Sequence, residues 1–165
     1  MYIADGEVDH FISWNECRQE HPHLAYEWTN YRYASPRINS RKRQARALLD
    51  PFEVQHGWFR VELPSLQLVC TEQIPAKHRA RAERTLEALD LIRGTRVRRL
   101  REGWLRRYRK NQLSLHGLLD FAPLVGEAVS ALLEAPEDTL SVELRAYRHR
   151  LVSDREQAGA TVPRA

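Results

Sequence analysis

A chain of 165 residues, 42% of them hydrophobic, is long enough to bury one sizeable core and carries no apolar run near the roughly 18 residues a membrane span requires. Its formal net charge of +4 is unevenly spread: residues 1–76 hold 8 Lys and Arg against 10 Asp and Glu, residues 77–110 hold 13 against 4, and residues 111–165 hold 5 against 8. The middle block therefore carries the whole positive excess, a pattern that usually marks an anionic partner, most often nucleic acid.

Two cysteines, Cys17 and Cys70, lie far apart, which excludes a C-x-x-C zinc knuckle and favours two reduced, buried thiols. Residues 1–7 lack the basic head and apolar core of a signal peptide, so a cytoplasmic protein without membrane association is expected.

Residues 2–12 place Tyr2, Ile3, Val8, Phe11 and Ile12 around an Asp5-Gly6 turn signal, which predicts a short strand pair whose second strand presents Asp9 and His10. Residues 15–22 read as a polar loop or frayed helical turn, and the aromatic-rich 24–34 as a packed short segment, strand or helix. After Ser35-Pro36, a helix is expected over 38–49, with Ile38, Ala45, Leu48 and Leu49 inward, stopped by Pro51. Residues 58–63 and 66–70 flank Pro64-Ser65 and predict a β-hairpin that extends the first strand pair or packs beside it.

From Pro75 onward the apolar spacing is helical. Expected helices run over 76–92, with Ala82, Leu86 and Leu89 inward and Gly94 as a stop, and over 96–108, with Val97, Leu100, Trp104 and Tyr108 inward. A short apolar piece follows at 113–119. A helix capped by Asp120 with Pro123 in its first turn comes next, and then one built on Leu140, Leu144, Tyr147 and Leu151. Residues 157–165 are expected to be a disordered tail. These elements predict an α+β fold with a helical remainder.

Within this frame Asp9-His10, Asn30 and the run Asn39-Ser40-Arg41-Lys42 suggest phosphodiester hydrolysis. A histidine with a pKa near ~6.5 can take a proton from water at neutral pH. A hard divalent cation on oxygen ligands neutralises phosphoryl charge and helps the leaving oxygen. Neighbouring strand residues point to opposite faces, so Asp9 and His10 share one site only if the strand ends or bends there.

Asp9-His10-Phe11-Ile12-Ser13-Trp14, Tyr26-Glu27-Trp28-Thr29-Asn30-Tyr31, Asn39-Ser40-Arg41-Lys42, Asp50-Pro51-Phe52 and Gly57-Trp58-Phe59, in this order, resemble the HNH endonucleases, in particular small bacterial members of that family. Arg84-Thr85-Leu86-Glu87-Ala88-Leu89 is similar to the helix that follows in those proteins, and the resemblance covers roughly residues 7–100. Each piece alone is a weak signal, and the ordered set is a fairly specific one.

The resemblance implies a ββα-metal core over 1–74 with the β-hairpin; the helical spacing adds an extension over 75–156, basic at 77–110, expected to pack on that core as one unit. The resemblance also implies His10 as the general base, Asn30 orienting His10 through its other ring nitrogen, Asp9 and Asn39 as ligands of Mg²⁺ with Mn²⁺ able to substitute, and Glu7 as a supporting or alternate ligand. Arg37, Arg41, Lys42 and Arg43 are expected to meet nucleic acid, with DNA as substrate and RNA open. The C-x-x-C zinc pair of many members is absent, so no structural zinc is expected and Trp14, Trp28 and neighbouring aromatics are expected to hold the fold. Asn39 stands where other members have His, and members have a longer lead-in before Asp9, which leaves an upstream start open.

By analogy an anti-phage effector with an ATPase or other defence partner is expected. Dimerisation through the C-terminal helices is a further expectation. The alternative is an inactive HNH-like subunit that grips nucleic acid or docks a partner.

Overall fold

The computed structural model describes residues 6–42 and 45–160. Its architecture is mixed α+β, with helices and two separate antiparallel two-stranded sheets among the described residues. The chain divides into two compact units, one formed by residues 1–54 and 77–89, the other by 55–76 and 90–165. The hairpin thus groups with the later helices, and the 77–89 helix with the N-terminal segment.

In the first unit, β1 (Glu7–His10) pairs with β2 (Tyr31–Ala34), in register Glu7 with Ala34, Val8 with Tyr33, Asp9 with Arg32 and His10 with Tyr31. β1 thus finds a partner some twenty residues on, while the first strand of the expected pair about Asp5-Gly6 falls on residues 1–5, which lie outside the described residues. Between the strands, α1 (Trp14–Cys17) starts at a capping box in which Glu16 reaches back to the Ser13 N–H at 3.0 Å. Hydrogen bonding to Ser13 leads the causes that lower the Glu16 pKa. Two single 3₁₀ turns, Pro22–Ala25 and Trp28–Asn30, then lead into β2.

Helix α2 (Pro36–Lys42) follows β2 directly, its Pro36 at a first-turn position that needs no N–H donor, while the Ser35 carbonyl accepts from the Asn39 N–H at 3.0 Å. It is shorter than the expected 38–49. Ala47 adopts a positive φ of 53°, incompatible with helix, and Leu48 and Leu49 enter the core from a non-helical segment. Helix α3 (Ala76–Ala88) ends earlier than Ile92, with Asp90 at φ 56°. Its Ala82 and Leu86 are buried, as are Leu48, Leu49 and Cys17. Thr85 joins α3 to the 48–49 segment, its Oγ1 accepting from the Leu49 N–H at 2.7 Å and donating to the Arg81 carbonyl at 2.7 Å.

This unit is held by polar side chains more than by aromatics. Trp14 is 52% exposed and Trp28 84%, which corrects their expected core role. The centre is Arg32, 9% exposed, paired with Asp50 through Nε at 2.7 Å and through Nη2, with Nη1 on the Thr29 and Tyr31 carbonyls at 2.7 Å each. Its guanidinium lies 3.8 Å over the Phe52 ring. Asp50 also caps the 3₁₀ turn Pro51–Glu53, so the Asp-Pro-Phe motif acts as a receptor for Arg32.

In the second unit the expected hairpin is present as β3 (Phe59–Glu62) and β4 (Gln67–Cys70), pairing Phe59 with Cys70 and Glu62 with Gln67. It forms its own sheet and does not extend β1–β2. Trp58, Val61, Leu66 and Leu68 are buried, as are Leu105, Tyr108, Leu118, Val125, Val129, Leu132 and Leu151 of the helices.

Those helices are α4 (Thr95–Arg109), α5 (Leu115–Phe121), α6 (Pro123–Glu134) and α7 (Val142–Ala160). Gly94 is the N-cap of α4, not the stop of α3. Leu105, not Leu100, faces inward from α4, since Leu100 is 59% exposed. Ala122, not Asp120, occupies the N-cap of α6 because α5 runs through Asp120 to Phe121. A Cβ on Gly126 would lie 2.8 Å from the Leu119 backbone, so glycine there allows α5 and α6 to cross closely. Helix α7 carries residues 157–160 of the expected tail, and 161–165 lie outside the described residues. No helix of the described residues is long and apolar enough to cross a membrane.

Candidate functional site

The period of two along β1 puts Glu7 and Asp9 on one face and Val8 and His10 on the other. The first face meets α2. Asn39 Nδ2 donates to Glu7 Oε2 at 2.8 Å, and Lys42 Nζ donates to Asp9 Oδ2 at 2.5 Å. Asn39 and Lys42 are three residues apart and share a helix face, so strand and helix are joined by two successive rungs. The Lys42 ammonium also donates to the His10 carbonyl. One cation is thus held between two oxygens of adjacent β1 residues, at side chains 16% and 13% exposed for Lys42 and Asp9.

His10 turns to the opposite side. Its Nε2 donates to the Ala25 carbonyl at 3.0 Å, and the Tyr31 ring meets it edge-on at 4.9 Å. A carbonyl can only accept, so Nε2 carries the proton and Nδ1 is the basic nitrogen of the neutral ring. The Tyr31 hydroxyl donates to the same carbonyl at 2.8 Å.

Asn30 is buried at 4% exposure and fully committed to backbone: Oδ1 accepts from Ile12 N–H at 2.7 Å, and Nδ2 donates to the carbonyls of Ile12 at 3.0 Å and Leu24 at 2.9 Å. The expected direct bond from Asn30 to the His10 ring is therefore not its arrangement, because every polar atom of the amide is already used. Asn30 acts one step removed. It ties the end of β1 to the turn at 22–25, and that turn supplies the carbonyl that holds His10.

Of the expected site residues, the structure brings Glu7 to Asn39 and Asp9 to Lys42, and gives His10 and Asn30 other partners. Arg37 is exposed in the first turn of α2 and Arg41 half-buried in the last, while Arg43 lies outside the described residues. A cavity of about 540 Å³ opens beside the Asp9–Lys42 pair, walled also by Phe11, Glu16, Arg46 and Arg81. Arg46 pairs with Glu16 there, and Arg81 with Glu53 at 2.8 Å and with the Leu48 carbonyl at 2.9 Å.

The donors on the β1–α2 face are two carboxylates and the Asn39 amide oxygen. This hard-oxygen set fits Mg²⁺ or Mn²⁺, which complete their shell with water and phosphate oxygens. The ammonium already bound at Asp9 marks that carboxylate as a place where positive charge is stabilised.

Arg32 is the site-supporting residue that sequence reasoning missed. Opposite Asp9 in the ladder, it anchors β2 to Asp50. An arginine inside the aromatic run Tyr31-Arg32-Tyr33, ahead of an Asp-Pro-Phe cap, is the signal that could have found it. No protein-family model, curated protein or solved structure matches the chain.

Proposed function

We propose that the chain is a metal-dependent HNH-type endonuclease that hydrolyses phosphodiester bonds of DNA. The observation that carries this reading is the ββα succession in which Glu7 and Asp9 of β1 face Asn39 and Lys42 of α2 through two polar rungs. A carboxylate-rich strand face set against a short basic helix combines cation ligands with phosphate-neutralising groups.

In this reading Asp9 and Asn39, with Glu7 beside them, would hold a divalent cation, which would supply charge neutralisation at the phosphoryl group and at the leaving oxygen. His10 Nδ1 takes the proton of the attacking water as its oxygen bonds to phosphorus. The bond from phosphorus to the leaving oxygen breaks, and that oxygen takes a proton from solvent. The Ala25 carbonyl, through the Nε2 proton, keeps the imidazole in the tautomer with Nδ1 basic and stabilises the imidazolium that forms. Lys42 and Arg41 offer positive charge to the phosphate. Lys42, which holds Asp9 in this structure, would have to leave that carboxylate before it could serve as a ligand.

That requirement, together with His10 turning to the strand face opposite Asp9, favours a second reading, an inactive relative that binds nucleic acid with the Asp9–Lys42 pair closed. Plasmid DNA incubated with Mg²⁺, with and without EDTA, separates the two. Metal-dependent cleavage lost in Asp9→Ala and reduced by at least about a hundredfold in His10→Ala supports the nuclease, in line with the usual worth of a general base. Cleavage that survives both substitutions removes it. Defence against phage, with an ATPase or another protein as partner, is the role proposed by analogy.

A further inference from the structure

The basic block at 77–110 divides into two parts with different fates. On α3, Arg79 pairs with Glu83 at 2.9 Å and Arg81 with Glu53 at 2.8 Å, so part of that charge is neutralised within the first unit. On α4, Arg101 is turned inward onto the carbonyls of Leu66 at 2.9 Å and Leu91 at 3.0 Å, and Arg109 pairs with Asp154. Of the remaining cations of α4 and its C-cap, four form a single line: Arg96, Arg99, Arg106 and the C-cap Lys110, all exposed and without a carboxylate partner among the described residues.

With residue 103 at its centre, this line steps by three, four, three and four residues, the spacing that keeps successive positions on one face of a helix. Its central position is Gly103, where an added Cβ would find no heavy atom within 4 Å. The middle of the line is therefore open backbone that another chain can approach closely. At its flank the Arg107 guanidinium lies 4.8 Å over the Trp104 ring, which stacks on Phe121 of α5 at 5.4 Å and 5°. This pins a fifth cation beside the line and commits the Trp104 ring to Phe121 and Arg107.

We infer that the α4 line Arg96, Arg99, Arg106 and Lys110 is a docking surface for the phosphate backbone of duplex DNA. From first to last it extends about 21 Å along the helix, a length over which a duplex presents about a dozen phosphate charges. The line holds charged groups and no Asn or Gln, so it suits backbone contact rather than base reading. Leu100 is the one large exposed hydrophobic on α4, too little apolar surface for insertion into a lipid interface. The inference adds a partner surface to the nuclease reading and stands on the charge and packing of α4 alone, so the two fail separately.

The test is fluorescence anisotropy of a labelled mixed-sequence duplex with the full chain, in EDTA so that cleavage plays no part, across a salt series. Replacing Arg96, Arg99, Arg106 and Lys110 together by Gln is expected to make the slope of log K against log salt shallower by about 3 to 4. Between about 50 and 200 mM salt the native chain then loses about a hundredfold more affinity than this variant. The corresponding Arg→Lys variant keeps the charge and the native slope. Single Arg99→Gln and Arg106→Gln variants, each expected to lower the slope by about 0.9, carry the test if the fourfold variant misfolds. Unchanged slopes in the Gln variants overturn the inference. So does line-dependent binding to single strands alone, or to phosphatidylserine vesicles in place of duplex. Loss of cleavage in Asp9→Ala with native binding would remove neither the nuclease reading nor this one, whereas native cleavage in that variant would remove the former only.

Discussion

Lys42 Nζ lies 2.5 Å from Asp9 Oδ2 and bonds the His10 carbonyl as well, so one ammonium of α2 holds two neighbouring residues of β1. With both side chains mostly buried, removing one partner strands the other in a poorly solvated place. Lys42→Met is expected to cost about 2 to 3 kcal/mol in urea unfolding, toward the lower side of buried-pair losses because the pair keeps some solvent contact. Asp9→Asn on that background should recover part of the loss. A double-mutant cycle with no coupling would disprove the pairing.

Asn30 makes three backbone hydrogen bonds from a buried side chain. Asn30→Ala leaves the Ile12 N–H and two carbonyls unmatched, and a loss of about 2 to 4 kcal/mol is expected. Asn30→Asp is the sharper probe, because it places an acceptor against the carbonyls of Ile12 and Leu24. The ¹⁵N shifts of the His10 ring should then move away from the Nε2-protonated tautomer if Asn30 sets the turn that holds it. Unmoved shifts would separate Asn30 from His10.

Asp50 links acid sensitivity to the Arg32 receptor. Burial by itself raises its pKa, but the Arg32 hydrogen bond, the Phe52 N–H and the charges of Arg32 and Arg81 outweigh it, so the net shift is downward from its usual 3.8. A carboxyl whose folded pKa is depressed stabilises the fold above the unfolded value and loses that contribution as pH falls through the folded one. Asp50→Asn should therefore be clearly less stable than the native chain at neutral pH, with the gap closing below about pH 4. A gap that does not depend on pH would assign the effect to packing.

Thr85 presents its hydroxyl to the Leu49 N–H from a buried position on α3. Thr85→Val keeps the shape and removes the acceptor, for an expected loss of about 1 to 3 kcal/mol. Thr85→Ser should retain most of the hydrogen-bond contribution. A larger loss in Ser than in Val would point to the methyl group instead.

How much could be read in advance depended on the range of the interaction. The hairpin over β3 and β4 was legible because Pro64-Ser65 and two apolar runs are neighbours in sequence. The later helices were legible for the same reason, their spacing being a local property. The inward face of α4 was legible only in part: Val97, Trp104 and Tyr108 lie on one side, but whether Leu100 or Leu105 completes it depends on what α4 packs against.

At the candidate site the residue types were visible in Asp9, His10, Asn30, Asn39 and Lys42, and their partners were not. A four-residue strand such as β1 offers two side chains per face, too few to announce its partner, and Tyr31–Ala34 sits beyond two irregular turns. Asn30 reads equally as a cap, a turn residue or an orienting group until its burial beside the Ile12 and Leu24 backbone is known.

By itself, the sequence of this protein determined an α+β chain with a hairpin, a helical remainder and a block of positive charge, because periodicity, turn residues and composition act over a few residues. Tertiary structure alone decided that β1 pairs with β2, that Arg32 is enclosed by Asp50 and Phe52 while Trp28 is not, and that Lys42 meets Asp9. It also decided which arginines of α4 are drawn into carbonyl and carboxylate contacts and which face outward. Burial and ion pairing are set by groups distant along the chain, and the desolvation that makes those contacts count exists only after the chain has folded.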